Sequence, residues 1–309
     1  MNYIGSKLKL KDWIFEVIES KEKVDGKVFC DLFAGTGIIG KTAKEKGAIV
    51  IANDLQTYSY ILNKRNIECS KQVDVPVVVP KKGVITDLYG GLYFKTENCE
   101  KCDGYIEYIK NLKDEEEKVS LLASLIEGMD EVANTASVYG AFLKKIKKTA
   151  QKDLQLKTVV VEGQKGKVYN CKAEDLIKEI SGDILYLDPP YNSRQYSSNY
   201  HVLETIAKMD NPNVHGKTLL RDDCQKSDFC IKKKALSSLE EIIKNAKFKY
   251  VFMSYNNEGI ISLEEIKNLF SKYGKYSVEQ KEYKKFNSGS GVDKKNTIEY
   301  IHILEKSNE

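Results

Sequence analysis

Val28-Phe29-Cys30-Asp31-Leu32-Phe33-Ala34-Gly35-Thr36-Gly37 is the stretch that decides the fold of this chain. Residues 28–33 form a short, nearly continuous apolar run, the pattern of a strand buried on both faces. A glycine turn follows and leads into a helix predicted over 38–46, with Gly47 placed to cap it. Moving outward, 48–52 reads as the next strand and 58–67 as the next helix. On the N-terminal side, Leu10, Trp13, Ile14, Val17 and Ile18 recur at helical spacing within 9–20. This alternation predicts an α/β fold built on a doubly wound parallel sheet.

The alternation breaks between about residues 84 and 157. There a tyrosine-rich stretch and a Cys-x-x-Cys precede two predicted helices, 115–129 and 132–148. It resumes with strands at 167–170, 184–187 and 250–254, and with helices at 174–180, 202–208, 235–245 and 263–270. Two last strand-like runs, 276–285 and 297–304, flank a glycine-rich polar loop. The expected division is therefore 1–83, 84–157 and 158–309, a sheet domain in two halves separated by an insert.

Composition narrows the class without choosing within it. With 309 residues, 41% of them hydrophobic, the chain can bury a sizeable core. A net charge of +4 permits an anionic partner but does not demand one. No apolar run approaches the roughly 18–20 residues of a membrane helix, and the first residues lack the apolar core of a signal peptide. The seven scattered cysteines suit reduced thiols in a cytoplasmic protein better than a disulfide framework.

Three motifs carry chemistry. Gly35 and Gly37 let backbone approach a ligand closely, since neither has a Cβ in the way. Gly40 completes a G-x-G-x-x-G by spacing, but the Asp31 carboxylate beside the turn would repel a pyrophosphate and favour a cation. The α-ammonium of S-adenosylmethionine meets that requirement. Asp54, about 20 residues on at the end of the second strand, suits the two hydroxyls of a ribose. Asp188-Pro189-Pro190-Tyr191 follows the apolar run 184–187, at the carboxyl end of the sheet, where open α/β sheets bind ligands. Successive prolines stiffen the backbone and leave carbonyls without a neighbouring N–H. A carboxylate and a rigid carbonyl can accept both hydrogens of an amino group, drawing its lone pair out of conjugation. Tyr191 offers a flat face to a base taken out of the stack.

Taken together, Asn2-Tyr3-Ile4-Gly5-Ser6-Lys7, the Phe33-x-Gly35-x-Gly37 turn, Asp188 to Tyr191 and the following Asn192-Ser193-Arg194-Gln195-Tyr196 resemble the Dam-like, alpha-arranged N6-adenine DNA methyltransferases of restriction-modification systems. The resemblance spans nearly the whole chain. It implies a Rossmann-like catalytic sheet, S-adenosylmethionine as methyl donor, and a mainly helical target-recognition insert at 84–157. It implies that Tyr3, Lys7, Asp31, Phe33, Gly35, Gly37, Asp54 and Asp175 bind the cofactor: Lys7 at its carboxylate, Asp54 at its ribose, and Asp175 at its adenine, with Glu174 competing for that role. Asp188, Pro189, Pro190 and Tyr191 become the target-adenine site, and no metal is needed. Double-stranded DNA is the expected partner, with a cognate restriction endonuclease left open.

Arg194, Gln195, Tyr196, Asn199 and Tyr200 fall within nine residues and suit phosphates or an extruded base. Lys144 and Lys145 belong to a lysine cluster that could neutralise phosphates or equally complement a helix end. The segment 86–158 carries 11 Lys against 13 Asp and Glu, so any DNA surface there must be local. Cys99 and Cys102 have the spacing of half a zinc knuckle with no second half in sequence. His201, His215 and His302 show no ligand spacing. Residues 281–295 read as a basic hairpin loop. Methylation of RNA or of a protein glutamine stays open, as does a non-catalytic DNA-binding partner of the same fold.

Overall fold

The computed structural model describes residues 3–284 and 296–307. Most of the expected 281–295 loop therefore lies outside the described residues. After a 3₁₀ turn at Lys7–Lys9, the chain forms α1 (Lys11–Glu19), β1 (Val28–Asp31), α2 (Ile38–Glu45), β2 (Ile49–Asn53) and α3 (Thr57–Ile67). Three helices come next: α4 (Val84–Tyr89), α5 (Thr96–Asn111) and α6 (Glu115–Glu131). The sheet then resumes with β3 (Lys167–Tyr169), α7 (Ala173–Leu176), β4 (Ser181–Leu187), α8 (Tyr196–Asn199) and α9 (His201–Lys208). A two-stranded ladder, β5 (Val214–His215) with β6 (Leu220–Arg221), precedes α10 (Lys232–Asn245), β7 (Lys247–Asn256), α11 (Leu263–Ser271), β8 (Gly274–Lys284) and β9 (Asn296–Lys306).

The main sheet has the order β3-β2-β1-β4-β7-β9-β8. Strands β3 to β7 of that series run parallel, while β9 is antiparallel to both β7 and β8. The chain winds outward from β1 through β2 to β3, then returns to place β4 on the other side of β1. Strand order thus reverses between β1 and β4, and the crevice outside their carboxyl ends is the usual ligand position in such a sheet. This is the Rossmann-like doubly wound architecture.

Strand alternation supplies the sheet with two cores. On one face Cys30, Leu185, Leu187, Val251 and Met253 pack against Leu176, Leu239, Ile242 and Ile266 from α7, α10 and α11. On the other, Phe29, Val50, Ile184, Phe252 and Ile303 pack against Ile14, Ile18 and Ala43 from α1 and α2. A third core joins α3 and α9 to the helices of 84–157, through Leu62, Ile85, Cys102, Leu125 and Leu203.

One expectation for 84–157 is corrected, and one open question there is narrowed. Cys99 and Cys102 sit on α5 with Ile106 and Ile109, and both thiols are fully buried in the third core. An i, i+3 spacing is helical periodicity as much as a metal-site spacing. The helix expected over 132–148 does not form. Asn134 closes that segment into a loop: its amide donates to Leu143 O at 2.8 Å and accepts from Lys147 N at 3.1 Å. Ser137 has φ of 80°, which no helix accommodates. Lys144 and Lys145 are consequently exposed on a loop rather than at a helix end. Among the described residues, no helix is long and apolar enough to cross a membrane.

Candidate active site

A cleft of about 1090 Å³ opens at the carboxyl ends of β1, β2 and β4. Of the residues singled out from sequence, Tyr3, Lys7, Asp31, Phe33, Gly35, Asp54, Asp188, Pro190, Gln195 and Tyr196 line it.

The turn after β1 is held from several sides. Asp31 is the last residue of the strand and is 1% exposed. Its Oδ2 accepts a bond from Gly40 N at 3.0 Å, while its Oδ1 is buried with no partner. Burial raises its pKa to about 8, with the negative charge of Asp188 adding to the effect. A buried carboxylate oxygen facing a cleft without a donor is a place for a cationic ligand group. Asp54 closes the turn from β2: its Oδ2 accepts from Gly35 N at 2.8 Å and its Oδ1 from Gln56 N at 2.9 Å. Burial raises its pKa to about 6. Asn53 staples the strand ends, donating to Leu32 O and Cys171 O.

Gly37 packs away from the cleft. Its φ is 79°, and a Cβ there would lie 2.6 Å from Asn63 Oδ1. Its place in the turn is therefore conformational rather than a ligand contact. Glu174 lines the cleft and Asp175 does not, so of those two competing carboxylates it is Glu174 that faces the ligand space. Burial raises the Glu174 pKa above its ordinary value.

The turn after β4 is built differently. Asp188 carries an ion pair, Lys7 Nζ to Oδ1 at 3.0 Å. The same ammonium donates to Glu299 Oε1 on β9 at 2.8 Å. Burial raises the Asp188 pKa to about 6, and the Lys7 charge holds it down against that pressure. Lys7 is therefore engaged with protein carboxylates, where sequence reasoning had expected it at a cofactor carboxylate. It also lies 5.6 Å from the Tyr191 ring centroid. Pro189 is buried beneath the turn, and Tyr191 O accepts from Ile260 N at 3.1 Å.

The segment 3–7 crosses over this end of the cleft. Gly5 has φ of 79°, and a Cβ there would come within 3.0 Å of the Tyr196 hydroxyl and 3.1 Å of the Tyr191 hydroxyl. Tyr3 stacks on Tyr200 at 4.6 Å and shares a 3.1 Å hydrogen bond with Tyr58. Tyr200, expected at a DNA surface, is fully buried and accepts from Ile4 N at 2.8 Å, so it anchors the segment instead. Asn199 O accepts from Tyr139 N and ties in the 132–147 loop. Gln195 exchanges two bonds with Ser227, at 2.8 and 3.2 Å. That clamp holds 225–229 as a cleft wall, where Phe229 meets Phe33 edge-on at 5.0 Å. Arg194 is exposed.

Sequence reasoning missed this wall, and it missed Glu299. A signal for Glu299 existed: it shares the strand phase of the buried Ile301 and Ile303, where a charge is out of place. No comparable pattern marks 225–229.

A sequence profile of the D12 class N6 adenine-specific DNA methyltransferases matches residues 3–269. The chain is 45% identical to the type II methyltransferase M.NlaIII of Neisseria lactamica, over 99% of this chain and all of that one. It is 36% identical to M.CviAII of Paramecium bursaria Chlorella virus 1, over 98% of each. M.FokI of Planomicrobium okeanokoites is also 36% identical, across 99% of this chain but 53% of that longer protein. A cleft at the switch point of a doubly wound sheet, an acceptor for a cation after β1, a lysine-paired Asp-Pro-Pro-Tyr after β4 and these matches agree: the chain belongs to the D12 class of N6 adenine-specific DNA methyltransferases.

Proposed function

We propose that this DNA adenine methyltransferase acts on an adenine rotated out of the duplex, with the cofactor in the β1–β2 end of the cleft and the base at the β4 end. The observation that carries this division is that Asp31 Oδ1 and Asp188 Oδ1 both lack a hydrogen bond in the same cleft, yet only Asp188 has a cation beside it, the Lys7 ammonium at 3.0 Å. S-adenosylmethionine supplies the methyl group as a sulfonium, which needs no further activation by the protein. Asp31 would accept its α-ammonium, Asp54 and the Gly35 backbone would border its methionine and ribose portions, and Glu174 would face its adenine.

Asp188 and the Pro189 carbonyl would accept the two N6 hydrogens of the target. Accepting both turns the nitrogen lone pair out of the ring system and toward the donor. Asp188 does this only as a carboxylate, a state the Lys7 ammonium favours at neutral pH. Tyr191, Tyr196 and Pro190 would frame the base. Beyond these contacts the protein's work is orientation, which can supply a large part of the barrier reduction.

Arg194, with Lys144 and Lys145 on the 132–147 loop, would touch phosphates, and 84–157 would carry target recognition. The names of M.NlaIII, M.CviAII and M.FokI as type II methyltransferases support a restriction endonuclease partner reading the same sequence, and both would act in the cytoplasm.

The deciding experiment is transfer of labelled methyl to unmethylated duplex DNA, with RNA in parallel, followed by digestion to nucleosides. Label in N6-methyladenine from DNA alone is expected. Label confined to RNA would overturn the assignment of the substrate.

A further inference from the structure

Lys7 stands between two carboxylates, and only one of them belongs to the reaction. The ammonium is 3.0 Å from Asp188 Oδ1 and 2.8 Å from Glu299 Oε1. Lys7 is 4% exposed and Glu299 5%. A carboxylate on the core phase of a strand is costly to desolvate, and hydrophobic neighbours would not require it. Its partner is therefore the reason it is tolerated. A lysine stem is flexible, with three rotatable donors and no preferred direction of its own. Strand β9 is not flexible: Glu299 is registered against Asn256 on β7 and Lys281 on β8.

We infer that Glu299 is a positioning residue for methyl transfer, holding Lys7 so that its ammonium fixes the Asp188 carboxylate against the target amino group. This rests on the reading of Asp188 given above. The groups that act on Asp188 are Lys7 from the N-terminal segment and Glu299 from β9, and Asp188 in turn acts on Asp31 at the end of β1. Tyr186, Tyr191 and Tyr196 complete the surroundings. Opposite consequences follow for two neutralising substitutions. Glu299→Gln leaves Lys7 wholly to Asp188, so the acid limb of the rate profile moves to lower pH. Lys7→Gln leaves Asp188 facing two other carboxylates, so that limb moves to higher pH. A merely structural Glu299 would leave the acid limb of Glu299→Gln where wild type has it.

The test is single-turnover transfer of tritiated methyl from S-adenosylmethionine to unmethylated phage DNA, from about pH 5 to 9. Wild type, Glu299→Gln, Lys7→Gln and the double variant are compared, with cofactor affinity measured for each. Glu299→Gln should lower the plateau rate about tenfold to a hundredfold through misplacement, with cofactor affinity changed less than about twofold. Once Lys7 is Gln, Glu299→Gln should lower the plateau rate no further, and the acid limb should move back toward lower pH as a carboxylate beside Asp188 is removed. Three results overturn the inference: unmoved acid limbs, a Glu299→Gln loss undiminished in the Lys7→Gln background, or loss of cofactor binding in Lys7→Gln. Should Glu299→Gln not fold, an unmoved acid limb in Lys7→Gln overturns it alone. Asp188→Ala separates the two levels. If that variant still transfers methyl, the reading of Asp188 falls; if it is inactive while Glu299→Gln is unaltered, only the role of Glu299 falls.

Discussion

The turns after β1 and β4 begin alike and end differently. Each brings an aspartate to the same cleft at the carboxyl end of a parallel strand. After β1, Asp31 meets Gly40 N with one oxygen and nothing with the other. After β4, Asp188 receives a lysine carried in from the N-terminal segment. The pKa values follow, about 8 for Asp31 and about 6 for Asp188. The lesson is that burial alone does not assign a carboxylate its task. Asp31 has only a backbone N–H among its partners, whereas Asp188 is given a cation by the chain itself.

The sharpest way to break this contrast is to remove each group in turn. Asp188→Ala should lower methyl transfer by about three orders of magnitude, the scale of losing a preorganised polar contact at the reacting group. Cofactor titration of that variant should remain close to wild type; a parallel loss of binding would merge the two roles. Asp31→Asn should do the reverse, weakening cofactor binding about tenfold to a hundredfold, as expected for a charge-assisted hydrogen bond.

Titration sharpens the same contrast. Only ionised Asp31 pairs with a cation, so cofactor affinity should rise as pH climbs through about 8, and that component should vanish in Asp31→Asn. The sign for stability is opposite. A carboxyl whose folded pKa exceeds its ordinary 3.8 favours the ligand-free fold below that value, and the contribution is lost as pH rises through about 8. Melting temperatures of Asp31→Asn should therefore fall less over that interval than those of wild type. Equal slopes would show that Asp31 is not the titrating group.

Gly35→Val probes the turn rather than its charge. Its φ of 52° and a Cβ 3.3 Å from the Tyr3 ring make the substitution strained at the cleft wall. Cofactor binding should be lost with the protein still folded, which circular dichroism and titration together would check. The smallest effect lies outside the comparison. Ser262 and Glu265 form a capping box at the start of α11. Ser262→Ala should cost about 1 kcal/mol of stability by denaturant unfolding and leave methyl transfer unchanged.

How legible all this was depends on the range of the interaction. The strand–turn–helix units around Asp31 and Asp188 rest on local patterns, buried runs ended by glycine or proline, and both form close to where they are expected. The 132–148 segment misleads because Val138, Phe142 and Ile146 recur every four residues, while the Asn134 bonds to Leu143 and Lys147 that make it a loop leave no periodic trace. The Cys-x-x-Cys leaves its choice open in sequence, because a helical i, i+3 spacing imitates a ligand spacing. Residues joined only by the fold, such as Gln195 with Ser227, cannot be paired from one sequence, because neither has a special neighbour. Lys7 was found as a site residue, but the partner expected for it was one that motif reasoning supplies, not one that topology does.

The Lys7–Glu299 contact has a consequence for synthesis. The two residues are 292 positions apart. At roughly 5–20 residues per second on the ribosome, the lysine emerges about 15 to 60 seconds before its second carboxylate exists. Asp188 and β7 emerge only late in that interval, and until Glu299 follows, Lys7 can reach Asp188 without its second carboxylate. The Lys7–Asp188–Glu299 arrangement is therefore complete only when β9 takes its sheet position between β7 and β8.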